Sequence, residues 1–250
     1  MLEINKIYNM DCMDGMAQFP DKYFDLIVTS PPYNLGEEHH TGNNKFKAYC
    51  SYNDDLPESE YQKWQKEFLD ECYRILKDDG SMFYNHKNRI KSGKQISPYE
   101  WIFKTNMIVK QELVWFNGSQ NFDKIRFYPM TERIYWLSKT TVTKFNNFIN
   151  HHDVFNWQAV GVCKEHKRAF PISMVKNLLS CFPTKLKVLD PFSGSGTVAV
   201  ACYDMGFDYI AFEIDKEYFD SANERIEAYK SQGTIFEKQE EPEAEQGNIV

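Results

Sequence analysis

The sequence predicts an α/β fold, a mostly parallel sheet with helices on both faces. Three observations predict it. Short apolar and β-branched runs alternate with longer segments of helical character, which is the order a parallel sheet demands because each crossover needs a helix. The segment Asp25-Leu-Ile-Val-Thr-Ser-Pro-Pro-Tyr33 is a strand ended by two prolines, which remove donors and fix φ. The segment from Lys187 to Cys202 is a short strand, a glycine turn and a helix rich in Ala and Val, followed by a second strand at Asp208–Glu213. With 250 residues and 42% hydrophobic content, the chain is long enough for one sizeable core, hence one domain carrying an insertion.

Taken in order, Leu26 to Thr29 form the first buried strand, and its exit presents Ser30, Pro31, Pro32 and Tyr33. In an open α/β sheet ligands bind at such exits, so a hydroxyl, a rigid backbone and an aromatic face come together there. Residues 36–51 are polar and follow this corner directly, which predicts a mobile loop. A strand at Glu112–Phe116 opens an interval rich in Asn, Phe and Lys, the insertion expected at about residues 117–165. Within it Ile134–Leu137 reads as a core strand, whereas Asn117–Arg126 and Asn146–Trp157 carry exposed-type polar and aromatic residues.

The turn after Leu189 is Asp190-Pro-Phe-Ser-Gly-Ser-Gly-Thr197. Gly194 and Gly196 let the backbone approach a ligand, and the N–H groups opening the next helix face polar ligand atoms. The strand Asp208–Glu213 ends in an acid that can accept from ribose hydroxyls, with Asp215 just beyond, where the dipole of a helix over Lys216–Lys230 also favours an acid. Gly194, Gly196 and Ala199 also fit the G-x-G-x-x-A pattern of NAD-dependent dehydrogenases. Two features weigh against that alternative. Asp190 would repel a pyrophosphate, and Ser-Pro-Pro-Tyr has no role in hydride transfer.

Together these segments resemble the S-adenosylmethionine-dependent DNA methyltransferases that modify exocyclic amino groups, in the permuted β order with the Ser-Pro-Pro-Tyr motif ahead of the cofactor loop. The likeness runs over nearly the whole chain. Tyr52-Asn-Asp-Asp55, Tyr61, Trp64 and Cys72–Gly80 are similar to the family's helix and glycine turn after the catalytic strand. His166 with Phe170-Pro171 is similar to its lead-in to the cofactor half. The resemblance implies a Rossmann-like methyltransferase fold with S-adenosylmethionine as cofactor and double-stranded DNA as partner. It implies catalytic roles for Ser30, Pro31, Pro32 and Tyr33. Cofactor contacts are implied for Asp11, Cys12, Asp190, Pro191, Phe192, Ser193, Gly194, Ser195, Gly196, Thr197, Glu213 and Asp215. Asp190 would orient the methionine amino group or the loop, its alternative being a cap on the following helix. Phe192 would pack on the cofactor and Glu213 hold its ribose.

The chemistry accounts for these residue types. An exocyclic amino nitrogen is a poor nucleophile because its lone pair is delocalised. Acceptors at Ser30 Oγ and the Pro31 carbonyl would take its two N–H bonds and turn the lone pair toward the sulfonium methyl. Tyr33 would stack on a base flipped out of the duplex. For the target base, Ser30 and Phe170-Pro171 resemble the cytosine-N4 enzymes, while Asn34 after Tyr33 resembles the adenine-N6 group. Adenine N6 is the preferred reading and cytosine N4 the alternative, with RNA or protein-amide acceptors more distant. The short recognition interval leaves room for a second subunit in a homodimer, and the resemblance brings in a cognate restriction endonuclease as a further partner.

Composition bounds this reading. The net charge is −7, with 36 Asp and Glu against 29 Lys and Arg, but residues 237–250 carry five Glu and one Lys. The catalytic domain is therefore expected over residues 1–235, and 236–250 as a disordered acidic tail. DNA contact would fall to local basic groups: Lys87, Arg89, Lys91 and Lys94; Lys124 and Arg126; Lys164, Lys167 and Arg168. The six cysteines form no C-x-x-C pair, so no metal site is expected and the chain reads as reduced and cytoplasmic. No signal-peptide pattern or membrane-length apolar run is present. Surface loops are the default reading for the scattered histidines, and the absence of a Pro-Cys dipeptide disfavours methylation of a ring carbon.

Overall fold

The computed structural model describes residues 1–36, 38–41, 44–47, 54–118, 126–156 and 171–237. Its centre is an eight-stranded sheet built from β1 (Lys6–Asn9), β2 (Phe24–Thr29), β5 (Leu76–His86), β8 (Ile108–Phe116), β9 (Thr131–Ser138), β10 (Val154–Asn156), β11 (Lys187–Asp190) and β12 (Asp208–Glu213). The strand order is β1-β12-β11-β2-β5-β9-β8-β10. The five strands from β1 to β5 in that order run parallel; β9 is antiparallel to both β5 and β8. Two small hairpins lie outside this sheet, β3 (Glu38–Thr41) with β4 (Asn44–Lys47), and β6 (Arg89–Lys91) with β7 (Lys94–Ile96).

Period-two alternation in the strands divides the core between two faces. Ile27, Met82, Tyr84, Leu189, Ile210 and Phe212 point to the face covered by α1 (Cys12–Met16), α2 (Glu58–Ile75) and α3 (Tyr99–Ile102). Leu26, Val28, Phe83, Val188, Tyr209 and Ala211 point to the other, covered by α4 (Ile172–Leu179), α5 (Thr197–Met205) and α6 (Lys216–Glu237). Every residue of β2 is buried, as expected for a strand covered on both sides.

The sequence order now explains where a ligand belongs. From β2 the chain crosses through α2 to β5, while from β11 it crosses through α5 to β12, on the opposite side of the sheet. β2 and β11 are parallel neighbours. Their carboxyl ends therefore flank the topological switch point, the crevice in which open α/β sheets bind ligands.

Several sequence expectations need correction. Gly80 is not a turn but lies inside β5, beside a register shift against β2. A side chain there would come within 2.8 Å of both the Asp25 carbonyl and Leu76, so glycine is needed for close approach. The stretch Asn146–Trp157 is not wholly exposed, because β10 joins the sheet edge and buries Phe155. His86 is fully buried at the end of β5 rather than in a surface loop. The helix expected over Lys216–Lys230 continues to Glu237. The acidic tail beyond it, His166 with Phe170, and most of the expected mobile loop lie outside the described residues.

Candidate active site

The corner after β2 is held from below by α2. Tyr61 donates its hydroxyl to the Pro32 carbonyl at 2.7 Å, and Gln65 Nε2 supports both that carbonyl and the Tyr61 oxygen. Asn34 takes a left-handed conformation, φ 55°, which asparagine tolerates better than most residues. Its side chain bonds the Leu56 backbone twice, Nδ2 to the carbonyl at 2.9 Å and Oδ1 from the N–H at 2.6 Å. The Asp54 carboxylate accepts from the Asn34 and Leu35 N–H groups. Asn34 thus ties the corner to the segment preceding α2, a structural task that any target base would leave unchanged.

Above this frame the Tyr33 hydroxyl sits 2.8 Å from Ser30 Oγ and donates to Glu132 Oε2 at 2.9 Å. Asn85 Nδ2, at the end of β5, donates to the Tyr33 hydroxyl and to Glu132 Oε2, and Asn117 Nδ2 donates to Glu132 Oε1 at 3.1 Å. The Tyr33 ring lies 4.6 Å from the His86 ring, with the Lys87 ammonium 5.5 Å from its centroid. Burial pushes the His86 imidazole down to about 3, so this ring is neutral. Ser30 and Tyr33 are half-buried, which leaves the corner open to a ligand.

Across the switch point, Thr29 donates its hydroxyl to Asp190 Oδ1 at 3.1 Å, joining the corner to the glycine loop. The Phe192 N–H donates to the same oxygen, so Oδ2 has no hydrogen bond from any described residue. Burial raises the Asp190 carboxyl to about 7, the two donors oppose the shift, and the Glu213 charge adds to it. Gly196, not Asp190, caps α5, so the alternative of Asp190 as helix cap is excluded.

The other expected cofactor residues divide into reachable and committed groups. Ser193 Oγ is buried without a partner among the described residues, and Pro191 is buried beside it. Phe192 packs on Phe68 and Trp64 of α2 at 5.0 and 5.9 Å between centroids. Glu213 Oε2 accepts from the Gly194 N–H at 2.8 Å and Oε1 from the Asp215 N–H at 2.9 Å, which leaves further lone pairs on both oxygens. Its pKa is raised by burial against those N–H groups. Asp215 caps α6 through the Glu217 and Tyr218 N–H groups, and Asp11 caps α1 through those of Met13 and Asp14. Cys12 is buried behind that cap. Ser195 and Thr197 hydroxyls both accept from Arg225, so they brace the loop against α6. Gly196 has φ 73°, and a side chain there would press on Ala222 of α6 at 3.1 Å; the space that the glycine keeps free belongs to helix packing.

Glu132, Asn85, His86 and Arg225 are site residues that sequence reasoning missed. Glu132 lies in β9, two residues ahead of the Ile134–Leu137 stretch read as a core strand, and only the pairing of β9 with β5 brings it to Asn85 and Tyr33. Of the basic groups, Arg89 is not available to DNA: it is buried, bidentate to Glu58 at 2.8 and 2.9 Å, and covers the Tyr61 ring. Lys91, Lys94 and Arg126 are exposed, while Lys124, Lys164, Lys167 and Arg168 lie outside the described residues. Among the described residues no His, Cys, Asp and Glu cluster is arranged to hold a metal ion, and no helix is long and apolar enough to cross a membrane.

The chain is similar to known proteins over most of its length. Residues 24–161 and 147–224 match the family described as DNA methylase. The Type II methyltransferase M.BglII of Bacillus subtilis is 29% identical over 93% of this chain and 72% of its own length. The Type II methyltransferase M2.MboI of Moraxella bovis is 27% identical, over 88% of this chain and 86% of its own. Among solved structures, the cytosine-N4-specific PvuII DNA methyltransferase superposes with TM-score 0.71 and 20% identity, covering 91% of each chain. The M1.HpyAVI–SAM complex superposes with TM-score 0.63 and 23% identity, covering 88% of this chain and 98% of its own.

Proposed function

This chain belongs to the DNA methylase family, and from that premise we propose that it methylates the exocyclic amino group of a flipped base, cytosine N4 ahead of adenine N6. One observation carries the reading: the Thr29–Asp190 bond sets the Ser30–Tyr33 corner beside the glycine loop, so acceptors for an amino group and a cradle for a nucleoside share one crevice. S-adenosyl-L-methionine, the cofactor, supplies an electrophilic methyl group on a sulfonium.

The residues present fit that cofactor. Asp190 Oδ2 has no hydrogen bond from a described residue and suits a methionine ammonium. Ser193 Oγ lacks a partner among the described residues. Glu213 keeps lone pairs for ribose hydroxyls, and Gly194, at φ 50°, turns the loop so that backbone can approach. Ser30 Oγ and the Pro31 carbonyl hold the amino group, with the Pro32 carbonyl pinned by Tyr61 so that the pair does not drift. Their fixed position favours the tetrahedral nitrogen before reaction, the preorganisation that such sites use in place of covalent chemistry.

The order of the two bases in this reading rests on Asn34 and Ser30. Asn34 resembles the adenine group, yet its side chain is fully engaged by Leu56. Ser30, which faces the crevice, resembles the cytosine-N4 enzymes and now weighs more. Incubating the protein with duplex DNA and labelled S-adenosylmethionine, then resolving nucleosides by mass spectrometry, tests this: N4-methylcytosine is expected. N6-methyladenine alone would return the reading to adenine, and neither product would overturn amino methylation. The Type II relatives also support a cognate restriction endonuclease as partner, tested by protection of DNA from cleavage. The short recognition interval supports a homodimer, tested by sedimentation.

A further inference from the structure

We propose that Glu132, acting through the Tyr33 hydroxyl, fixes Ser30 Oγ as a pure acceptor for the target amino group and takes up the proton that group sheds. The inference deepens the proposed amino methylation and rests on it. It follows from counting protons. The Glu132 carboxylate is acceptor-only, and among the described residues three donors converge on it: Tyr33 OH and Asn85 Nδ2 on Oε2, Asn117 Nδ2 on Oε1. Tyr33 has one hydroxyl proton and gives it to Glu132. Its oxygen can then only accept, from Asn85 Nδ2 and from Ser30, 2.8 Å away. The Ser30 proton is thereby directed at Tyr33, and beside a long 3.4 Å contact from Asn85 Nδ2 the Ser30 oxygen keeps a lone pair for the ligand. An amino group presents only N–H bonds to such a site, so a serine free to turn its proton outward would oppose binding half-formed. Glu132 removes that freedom.

The same chain of bonds carries charge away. When the amino nitrogen forms its bond to the methyl carbon, the carbon–sulfur pair stays on sulfur, and the positive charge passes from sulfur to nitrogen. One N–H proton then passes to Ser30 Oγ, the Ser30 proton to Tyr33 and the Tyr33 proton to Glu132 Oε2, leaving a neutral carboxylic acid that water discharges. Every link is a bond already present at 2.8 or 2.9 Å apart from the one to the base. Asn85, with an amide at the end of β5, cannot take this proton; the carboxylate comes instead from the neighbouring β9. Glu132 is a positioning residue and proton sink, since it does not itself touch the base.

The test compares wild type with Glu132→Gln, Tyr33→Phe and the double variant, on a duplex whose methylated site has been mapped. Glu132→Gln should lower the single-turnover rate by roughly 10²-fold, the low end of what a placed proton-transfer group contributes, with cofactor affinity within about twofold. Tyr33→Phe keeps the ring and should cost as much, and the double variant should be no slower than either single one because both cut one relay. A second readout needs no cofactor: binding of the mapped duplex against one whose target base lacks the amino group. The flipping cost is common to all proteins, so it cancels in the comparison. The wild-type preference for the amino-bearing duplex should shrink about tenfold in both variants, the worth of one hydrogen bond to a fixed acceptor. A Glu132→Gln rate equal to wild type, multiplicative losses in the double variant, or an unchanged preference would each overturn the relay. Wild-type protein that methylates no DNA would overturn the proposed function, and the relay with it.

Discussion

At the scale of single residues, the site separates groups that hold the corner from groups that face a ligand. Tyr33 does both, since its hydroxyl belongs to the Glu132 network and its ring lines the crevice beside His86. Tyr33→Ala should lose base stacking, about 1–3 kcal/mol per base, and slow methylation while leaving cofactor affinity nearly intact; equal rates for variant and wild type at saturating DNA and cofactor would make the ring structural. Asp190 makes a different prediction. With its carboxyl raised to about 7 by burial, it is largely protonated at pH 6 and ionised at pH 8. A cationic methionine ammonium should therefore bind more tightly as pH rises through 7, and calorimetry should show that rise. In Asp190→Asn the affinity should be lower at pH 8 and should lose the pH dependence. A slope that survives in the variant would assign the titration to another group.

At the scale of elements, the hairpin of β6 and β7 is the described basic feature that best fits DNA. It leaves the end of β5 close to the corner and presents Lys91 and Lys94 around an exposed turn, while Arg89 anchors its base to Glu58. Replacing Lys91 and Lys94 by Ala should weaken DNA binding uniformly across sequences and reduce the salt slope of log K by about one per lost phosphate contact. An unchanged slope in fluorescence titrations would remove the hairpin from the interface. The elements also show what a sequence can disclose. β2, β11, β12 and the glycine turn were legible because strand period, proline stops and glycine spacing are local signals. The committed state of Ser195, Thr197 and Gly196 was not, since Arg225 and Ala222 approach from α6, tens of residues along the chain. Nor was Glu132, a lone acid in a core-like strand whose partners Asn85 and Tyr33 arrive through β5 and β2. In the same way nothing near His86 in sequence announces that Tyr61 and Trp101 will bury it.

At the scale of the whole molecule, the crevice places two buried titratable groups on one sheet with opposite effects on stability. His86 is held at about 3 by burial against an ordinary 6.5, so the unfolded chain binds the extra proton between those values. Its contribution is present above about 6.5 and is lost as pH falls toward 3. Asp190 is held at about 7 against 3.8, so here the folded protein binds the extra proton. Its contribution is present below about 3.8 and is lost as pH rises through 7. Between roughly pH 4 and 6.5 the two slopes oppose each other, each up to about 1.4 kcal/mol per pH unit for one proton. Removing one should expose the other. Relative to wild type, Asp190→Asn should lose stability more steeply on acidification, and His86→Gln should lose it more steeply as pH rises toward 7. Urea unfolding midpoints of the three proteins at pH 4.5, 5.5 and 6.5 measure this directly, and the remaining carboxylates cancel because all three proteins share them. Curves that stay parallel across this range would mean that neither group is held away from its ordinary value. The crevice would then be wetter than its packing indicates, and Asp190 would meet the cofactor already ionised.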